Sequence, residues 1–296
     1  MKKFFIVFFA YVLLLTPGLL SMDWPSPTGQ ISRNFGWNES GKPHLGISFD
    51  DNGKISAVDN GELLFFHRQG GTASRLPSPL GSWIALDHGD GIISIYSRLD
   101  DESLNGNLPG LLSAPDRIER GQALAEAGIS GWSSRNGFYF QLFDRKERRW
   151  INPFLILTPP VDTRPPTIQS VRLRNQAGNY FNPQVTRNLN QGRYVIVVDV
   201  FDTMRFANER PLAPYRISAS VNGREVAVLN FETFSARNGS LMVNRNGLVP
   251  ARQVYASFPA FELADLWFSR GQTTLEIAAR DISGNARNMV FRFMVE

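Results

Sequence analysis

The chain has 296 residues, 43% hydrophobic and 20% charged, a globular composition with room for two domains. A formal net charge of +4 is too weak to argue for nucleic acid. The absence of cysteine excludes disulfides, thiol catalysis, Cys-ligated metal and an N-terminal lipid-modified Cys; three histidines, His44, His67 and His88, make a His-rich zinc site hard to assemble.

Met1-Lys2-Lys3 precedes the apolar run FFIVFFAYVLLL, which Thr16-Pro17-Gly18 interrupts before Ser21. A basic start followed by a short apolar stretch predicts a secretory leader, residues 1–21, with cleavage near Ser21. An uncleaved anchor is the alternative, but a spanning helix needs about 20 apolar residues and this run is shorter and broken. The remainder is expected to be exported, to the periplasm or cell envelope, with no membrane span once the leader is removed.

Residues 22–157 read as short strands. Residues 54–59 alternate, Asn60-Gly61 follows, and residues 62–67 are apolar again, a pattern that predicts a hairpin. Residues 82–87 and 92–96 flank a turn at His88-Gly-Asp-Gly91, and residues 137–143 form another apolar strand. No stretch shows a long helical period; the best candidate, residues 110–113, is a single turn. Residues 158–167 hold two Pro-Pro pairs, which favour extended geometry and remove sheet donors, so they read as a stiff linker. Residues 168–296 again read as strands, at 168–173, 194–200, 215–221, 274–279 and 289–295, with a hairpin turn at Asn222-Gly223. Asp281-Ile-Ser-Gly-Asn285 reads as a turn in which Asp and Asn cap the backbone; it is too poor in acidic ligands to favour calcium. Residues 260–267 are expected to hold one helical turn. The fold class is all-β, with a two-sheet sandwich at the C-terminal end.

Several motifs succeed one another in the first part. They are Trp24-Pro25, Phe35-Gly36, His44-Leu-Gly-Ile-Ser48, Leu86-Asp-His-Gly-Asp-Gly91, Ile95-Tyr-Ser-Arg-Leu99 and Ala127-Gly-Ile-Ser-Gly-Trp-Ser-Ser134, closed by Gly137-Phe-Tyr-Phe-Gln141 and Asn152-Pro153. In order and spacing this succession resembles the LytM/lysostaphin-type zinc endopeptidases, the M-twenty-three peptidase family. The resemblance covers about residues 24–157 and implies a LytM/lysostaphin-like antiparallel β-sheet domain. Residues 168–296 resemble bacterial Ig-like modules, through Pro165-Pro-Thr-Ile-Gln-Ser-Val and Ala279-Arg-Asp-Ile-Ser-Gly-Asn.

The family holds zinc with a His, an Asp four residues later and the second His of a His-x-His pair. The first His of that pair, with the His of a Tyr-x-His segment, assists the bound water. Carried over by resemblance, the first ligand position is His44. The Asp position is Ser48, the Tyr-x-His segment ends in Arg98, and the His-x-His positions are Gly137 and Tyr139. One ligand of three remains. Asp50 shares strand parity with His44 and Ser48 but lies about 6.6 Å further along than Ser48. A cation at Arg98 opposes a divalent metal. The implied protein is therefore non-catalytic, without zinc or another cofactor; an active zinc endopeptidase with an altered ligand set and a purely adhesive module are the alternatives. A vacated groove would be lined by His44, Tyr96, Arg98, Phe138, Tyr139 and Gln141. The partners implied are peptidoglycan or a cell-wall hydrolase, with no nucleic acid.

Overall fold

The computed structural model describes residues 21–296 except 40, 51–52, 70–77, 133–134, 159–160, 205–206 and 258. The expected leader (apart from Ser21), Pro159 and Pro160 of the expected linker, and Asp51 lie outside the described residues. Among the described residues one α-helix, Asp101–Ser113, accompanies a chain built from strands. None of their helices is long and apolar enough to cross a membrane.

In the N-terminal half, antiparallel strands run in the order Glu62–His67, Ser82–Asp87, Ile92–Leu99, Phe138–Asp144, Arg149–Ile151. Ile47–Asp50 pairs with the start of Phe138–Asp144 on one side and with Gln30–Arg33 on the other. Pleating decides what this sheet presents: successive side chains point oppositely, and cross-strand partners point alike. Ile47, Phe140 and Tyr96 stand in one row and are fully buried. Phe49 and Phe138 share that face, their rings stacked at 4.5 Å. The intervening row, Ser48, Tyr139 and Ser97, faces the opposite way. Burying each large side chain of the first face contributes about 1.5–3 kcal/mol, which fixes the register and so the composition of the second.

Two expectations are corrected here. The helix is 13 residues long, not one turn at 110–113. Asp100 caps it by accepting from the Ser103 N–H at 2.8 Å, and Asp101 and Glu102 suit its positive end. Leu104, Leu108 and Leu111 form a buried stripe in the same core as Ile47 and Phe140. That burial offsets the helix penalties of Gly106, Pro109 and Gly110. Asn60-Gly61 closes no hairpin: Lys54–Ser56 pairs with Ala123–Glu126, and Glu62–His67 with Ser82–Asp87. Gly61 instead exchanges backbone bonds with Ile118, and a Cβ there would stand 2.7 Å from the Asp87 carbonyl.

The C-terminal half is a sandwich. Arg224–Arg237, Arg216–Val221, Gly271–Arg280 and Ala286–Val295 make one sheet, and Thr167–Asn175, Gly192–Thr203 and Ala260–Phe268 make the other. Alternate residues of both, such as Ile196, Val198, Phe261, Ile217, Leu229 and Ile277, fill one core. Residues 260–267 therefore belong to a strand, not a helical turn. Its pairing with Gly192–Thr203 and the burial of Phe261 and Leu263 override the local preference. Asn222 and Gly223 close their hairpin at φ 52° and 79°.

The halves are continuous. Arg149–Ile151 pairs with Thr233–Ser235, so a single sheet crosses from one to the other. Asn34 is buried between them: its Nδ2 donates to the Ala213 carbonyl and its Oδ1 accepts from the Ala213 N–H, both at 2.8 Å. Met204, Ala207 and Leu212 pack into the N-terminal core, and Phe35 into the C-terminal one.

Candidate functional site

Of the polar row Ser48–Tyr139–Ser97, Ser48 lines a cleft, with Tyr139 and Ser97 buried beside it. His44 lies just before Ile47–Asp50, held by its own N–H donating to the Trp37 carbonyl at 2.8 Å. Its Nε2 is 3.0 Å from Ser48 Oγ, and its ring centroid is 4.6 Å from that of Tyr139. The Tyr139 hydroxyl accepts from the Leu45 N–H at 3.1 Å, and Gln141 Nε2 donates to the Leu45 carbonyl at 3.5 Å. Burial, reinforced by the cations of Arg33 and Arg98, pushes the His44 imidazole down to about 3. The ring is neutral near pH 7.

Arg98 reaches the cleft through a defect in the sheet. Ser97 pairs with Trp83 and Leu99 with Ser82, so Arg98 is an extra residue in its strand, at φ 64°. Such bulges re-aim a side chain, and the left-handed conformation costs a non-glycine residue about 1–2 kcal/mol. The guanidinium lies 5.6 Å from the Tyr139 ring centroid.

The cleft encloses about 520 Å³. Arg33 enters it from Gln30–Arg33, Arg135 and Trp132 from the loop before Phe138–Asp144, and Arg210 from the C-terminal half. Asp50, its carboxylate among the lining residues, is ion-paired with Arg210. Trp132 is 81% exposed.

The structure brings His44, Ser48, Tyr139, Gln141 and Arg98 together, with Gly137 at the cleft wall. Tyr96 and Phe138 do not join them. Pleat parity places both on the core face, where the Tyr96 hydroxyl accepts from the Val58 N–H at 2.9 Å and Phe138 stacks on Phe49. The groove expected from Tyr96 and Phe138 is corrected accordingly. Its missing members are Arg33, Trp132, Arg135 and Arg210. Trp132 stood within a motif, but no local signal ties Arg210 to a site 160 residues away.

These residues do not fit zinc. Ser48 offers a neutral hydroxyl already engaged with His44, and Tyr139 offers a phenol whose oxygen serves the Leu45 N–H. At Gly137 an added Cβ would stand 2.2 Å from the Phe49 carbonyl oxygen, so no histidine fits without moving the sheet. The surrounding guanidinium groups oppose a cation. Among the described residues, three or more potential metal-ligating side chains converge only elsewhere, at Asp162, Asp202 and Asp281, within 4.8 Å of one another. Burial first, and then the neighbouring Asp281 and Asp162, push the Asp202 carboxyl up to about 7. Asp281 accepts from both the N–H and the side-chain amide of Asn285, and Gly284 takes φ 95°: the capped turn read from the sequence. His88 is a turn residue bonded to the Asn60 carbonyl and Ser94 Oγ, both at 2.7 Å, and His67 ends its strand.

A protein-family model matches residues 165–296. No curated protein matches the chain. Solved structures similar in fold include a zinc-containing peptidase from Vibrio cholerae, 17% identical with a TM-score of 0.35, covering 49% of this chain and 41% of that one. The catalytic domain of the prophage-encoded M-twenty-three protein EnpA from Enterococcus faecalis is 18% identical, with a TM-score of 0.33, 46% of this chain and 96% of that one. The antimicrobial peptidase lysostaphin from Staphylococcus simulans is 16% identical, with a TM-score of 0.35, 81% of this chain and 95% of that one. The chain thus spans less than half the length of the first of these.

Proposed function

We propose that this chain is an exported, non-catalytic relative of the LytM-type peptidases. Residues 22–157 keep the sheet and cleft but not the metal, residues 158–167 link, and residues 168–296 form an Ig-like contact module. In this reading the protein binds peptidoglycan or a wall hydrolase and serves as a scaffold or regulator in the envelope. One observation carries it: the positions that resemble a zinc centre hold a neutral buried His44, Ser48, Tyr139 and a Gly137 too crowded for any side chain. A metal-activated water needs three protein ligands and an open position, and this floor supplies one ligand under a cationic rim. The test is elemental analysis of the purified chain, together with incubation on isolated peptidoglycan sacculi. The expected result is less than one zinc per ten chains, retention on sacculi or on a wall hydrolase, and no soluble fragments released. Stoichiometric zinc with muropeptide release that His44→Ala abolishes would overturn it.

A further inference from the structure

Three carboxylates meet away from the cleft. Asp162 precedes strand Thr167–Asn175, Asp202 lies near the end of Gly192–Thr203, and Asp281 opens the turn before the last strand; one oxygen of each stands within 4.8 Å of the others. The place is a junction: Met204 and Ile282, close to them in sequence, pack against the N-terminal core. Asp202 and Asp281 are each 1% exposed. Like charges this close repel, and a buried charge is ordinarily paired with a cation or held by a metal. Among the described residues no ion pair reaches any of the three; Arg164, two residues from Asp162, directs its guanidinium to Glu209 at 3.0 Å. Hydrogen bonds do not make up the deficit. The Asp202 carboxylate receives one, from the N–H of its neighbour Thr203 to Oδ1 at 2.9 Å, and no side chain among the described residues donates to it. Asp162 Oδ2 is buried without a donor. Asp281 alone is well supplied, by the N–H and side-chain amide of Asn285, whose Nδ2 also donates to the Asp162 carbonyl at 3.0 Å. Two of the three carboxylates thus bring buried oxygens without a donor into one group.

We propose that Asp162, Asp202 and Asp281 bind a calcium ion, which clips the segment around residue 162 to the sandwich. The donor set is all oxygen, without imidazole or thiolate, which suits a hard cation and not zinc. Oxygens around one calcium ion, each about 2.3–2.6 Å from it, lie no more than about 5 Å apart, as these do. Magnesium demands a tighter, near-octahedral shell and gives up water reluctantly. Asp162 is only partly buried, which gives the ion an entry path from solvent. The Asp281 turn by itself is too poor in acidic groups for calcium; the fold supplies two more from remote segments. The site shares no residue with the cleft and does not depend on the wall-binding reading.

The experiment is thermal unfolding of the full chain, freed of metal with a chelator and held above neutral pH. It is run alone, with calcium chloride, with magnesium chloride, and with sodium chloride at matched ionic strength. Calcium at about 1–5 mM, the range in which extracellular modules take it up, is expected to raise the midpoint by about 3 °C or more. Magnesium should raise it less, and sodium chloride should not reproduce the rise. Asp202→Asn should abolish the shift and leave the ion-free midpoint as high as that of the natural chain or higher, since it removes a buried charge from a repelling group. Asp162→Asn, at a partly exposed position, should cut the shift as well, and it keeps the test decisive should Asp202→Asn disturb the fold. Limited proteolysis near residue 162 should slow with calcium in the natural chain and not in the variants. No shift with calcium, an equal shift with magnesium or sodium chloride, a full shift retained in either variant, or cleavage near residue 162 indifferent to calcium overturns the assignment.

Discussion

Two buried groups should make the stability of this protein respond to pH in opposite directions. His44 titrates at about 3 when folded, against an ordinary 6.5. Its contribution is complete above the unfolded value and is lost as pH falls toward the folded one. Between about pH 8 and about pH 5 the unfolded chain takes up a proton that the folded chain refuses, which costs about 2 kcal/mol of stability. Asp202 titrates at about 7 when folded, against an ordinary 3.8. Its contribution is complete below 3.8 and is lost as pH rises through 7, so over the same interval acidification adds about 2 kcal/mol or more. Asp281 is displaced in the same direction as Asp202. In the natural chain the two effects oppose one another, with Asp202 and Asp281 acting together against His44, so urea unfolding should show less change between these pH values than the Asp202 effect alone would give. Asp202→Asn should uncover the His44 effect, with stability lower at about pH 5 than at about pH 8 by up to 2 kcal/mol. His44→Gln should uncover the opposite slope. A rising or flat profile for Asp202→Asn that matches the profile of the Asp202→Asn, His44→Gln double variant would refute a buried neutral imidazole beside Ser48.

Other outcomes follow from close contacts. Gly46→Ala should destabilise by about 2 kcal/mol or more, because its Cβ would stand 2.1 Å from the Phe140 carbonyl oxygen; denaturant midpoints measure this. Asn34→Ala strands both the N–H and the carbonyl of Ala213 and should cost about 2–4 kcal/mol. Limited proteolysis should then cut near residue 213 faster than in the natural chain. Phe138→Ala removes a fully buried ring and should cost about 3–5 kcal/mol in thermal or chemical unfolding, the loss expected of a core residue and not of a groove residue. Gly137→His should leave zinc affinity unchanged and lower the unfolding midpoint, since the ring has no space beside Phe49.

Where each side chain answered to its neighbours in sequence, the fold was legible. Alternation at residues 82–87, 92–96 and 194–200 became strands, and Asn222-Gly223 became the turn its left-handed preference favours. The helix Asp101–Ser113 was hidden because Gly106, Pro109 and Gly110 speak against helix, while the decisive Leu104, Leu108 and Leu111 depend on a core assembled from distant strands. Asn60-Gly61 misled for the converse reason: its partners, Ile118 and the Asp87 carbonyl, are remote. At the site, motif spacing placed His44, Ser48 and Tyr139, but choosing Tyr96 and Phe138 required the pleat phase, which only the cross-strand register supplies. The arginine rim was the least legible part. Arg98 owes its aim to a bulge, and Arg210 owes its place to a packing of the two halves that no local pattern encodes.

The strand pair formed by Arg149–Ile151 and Thr233–Ser235 has a mechanical meaning. Hydrogen bonds lying side by side in an antiparallel ladder share a lengthwise load, unlike a flexible tether that simply straightens. Tension that pulls the two halves apart would therefore load this ladder, and the cleft, whose lining includes Arg98 from one half and Arg210 from the other, would feel the same pull.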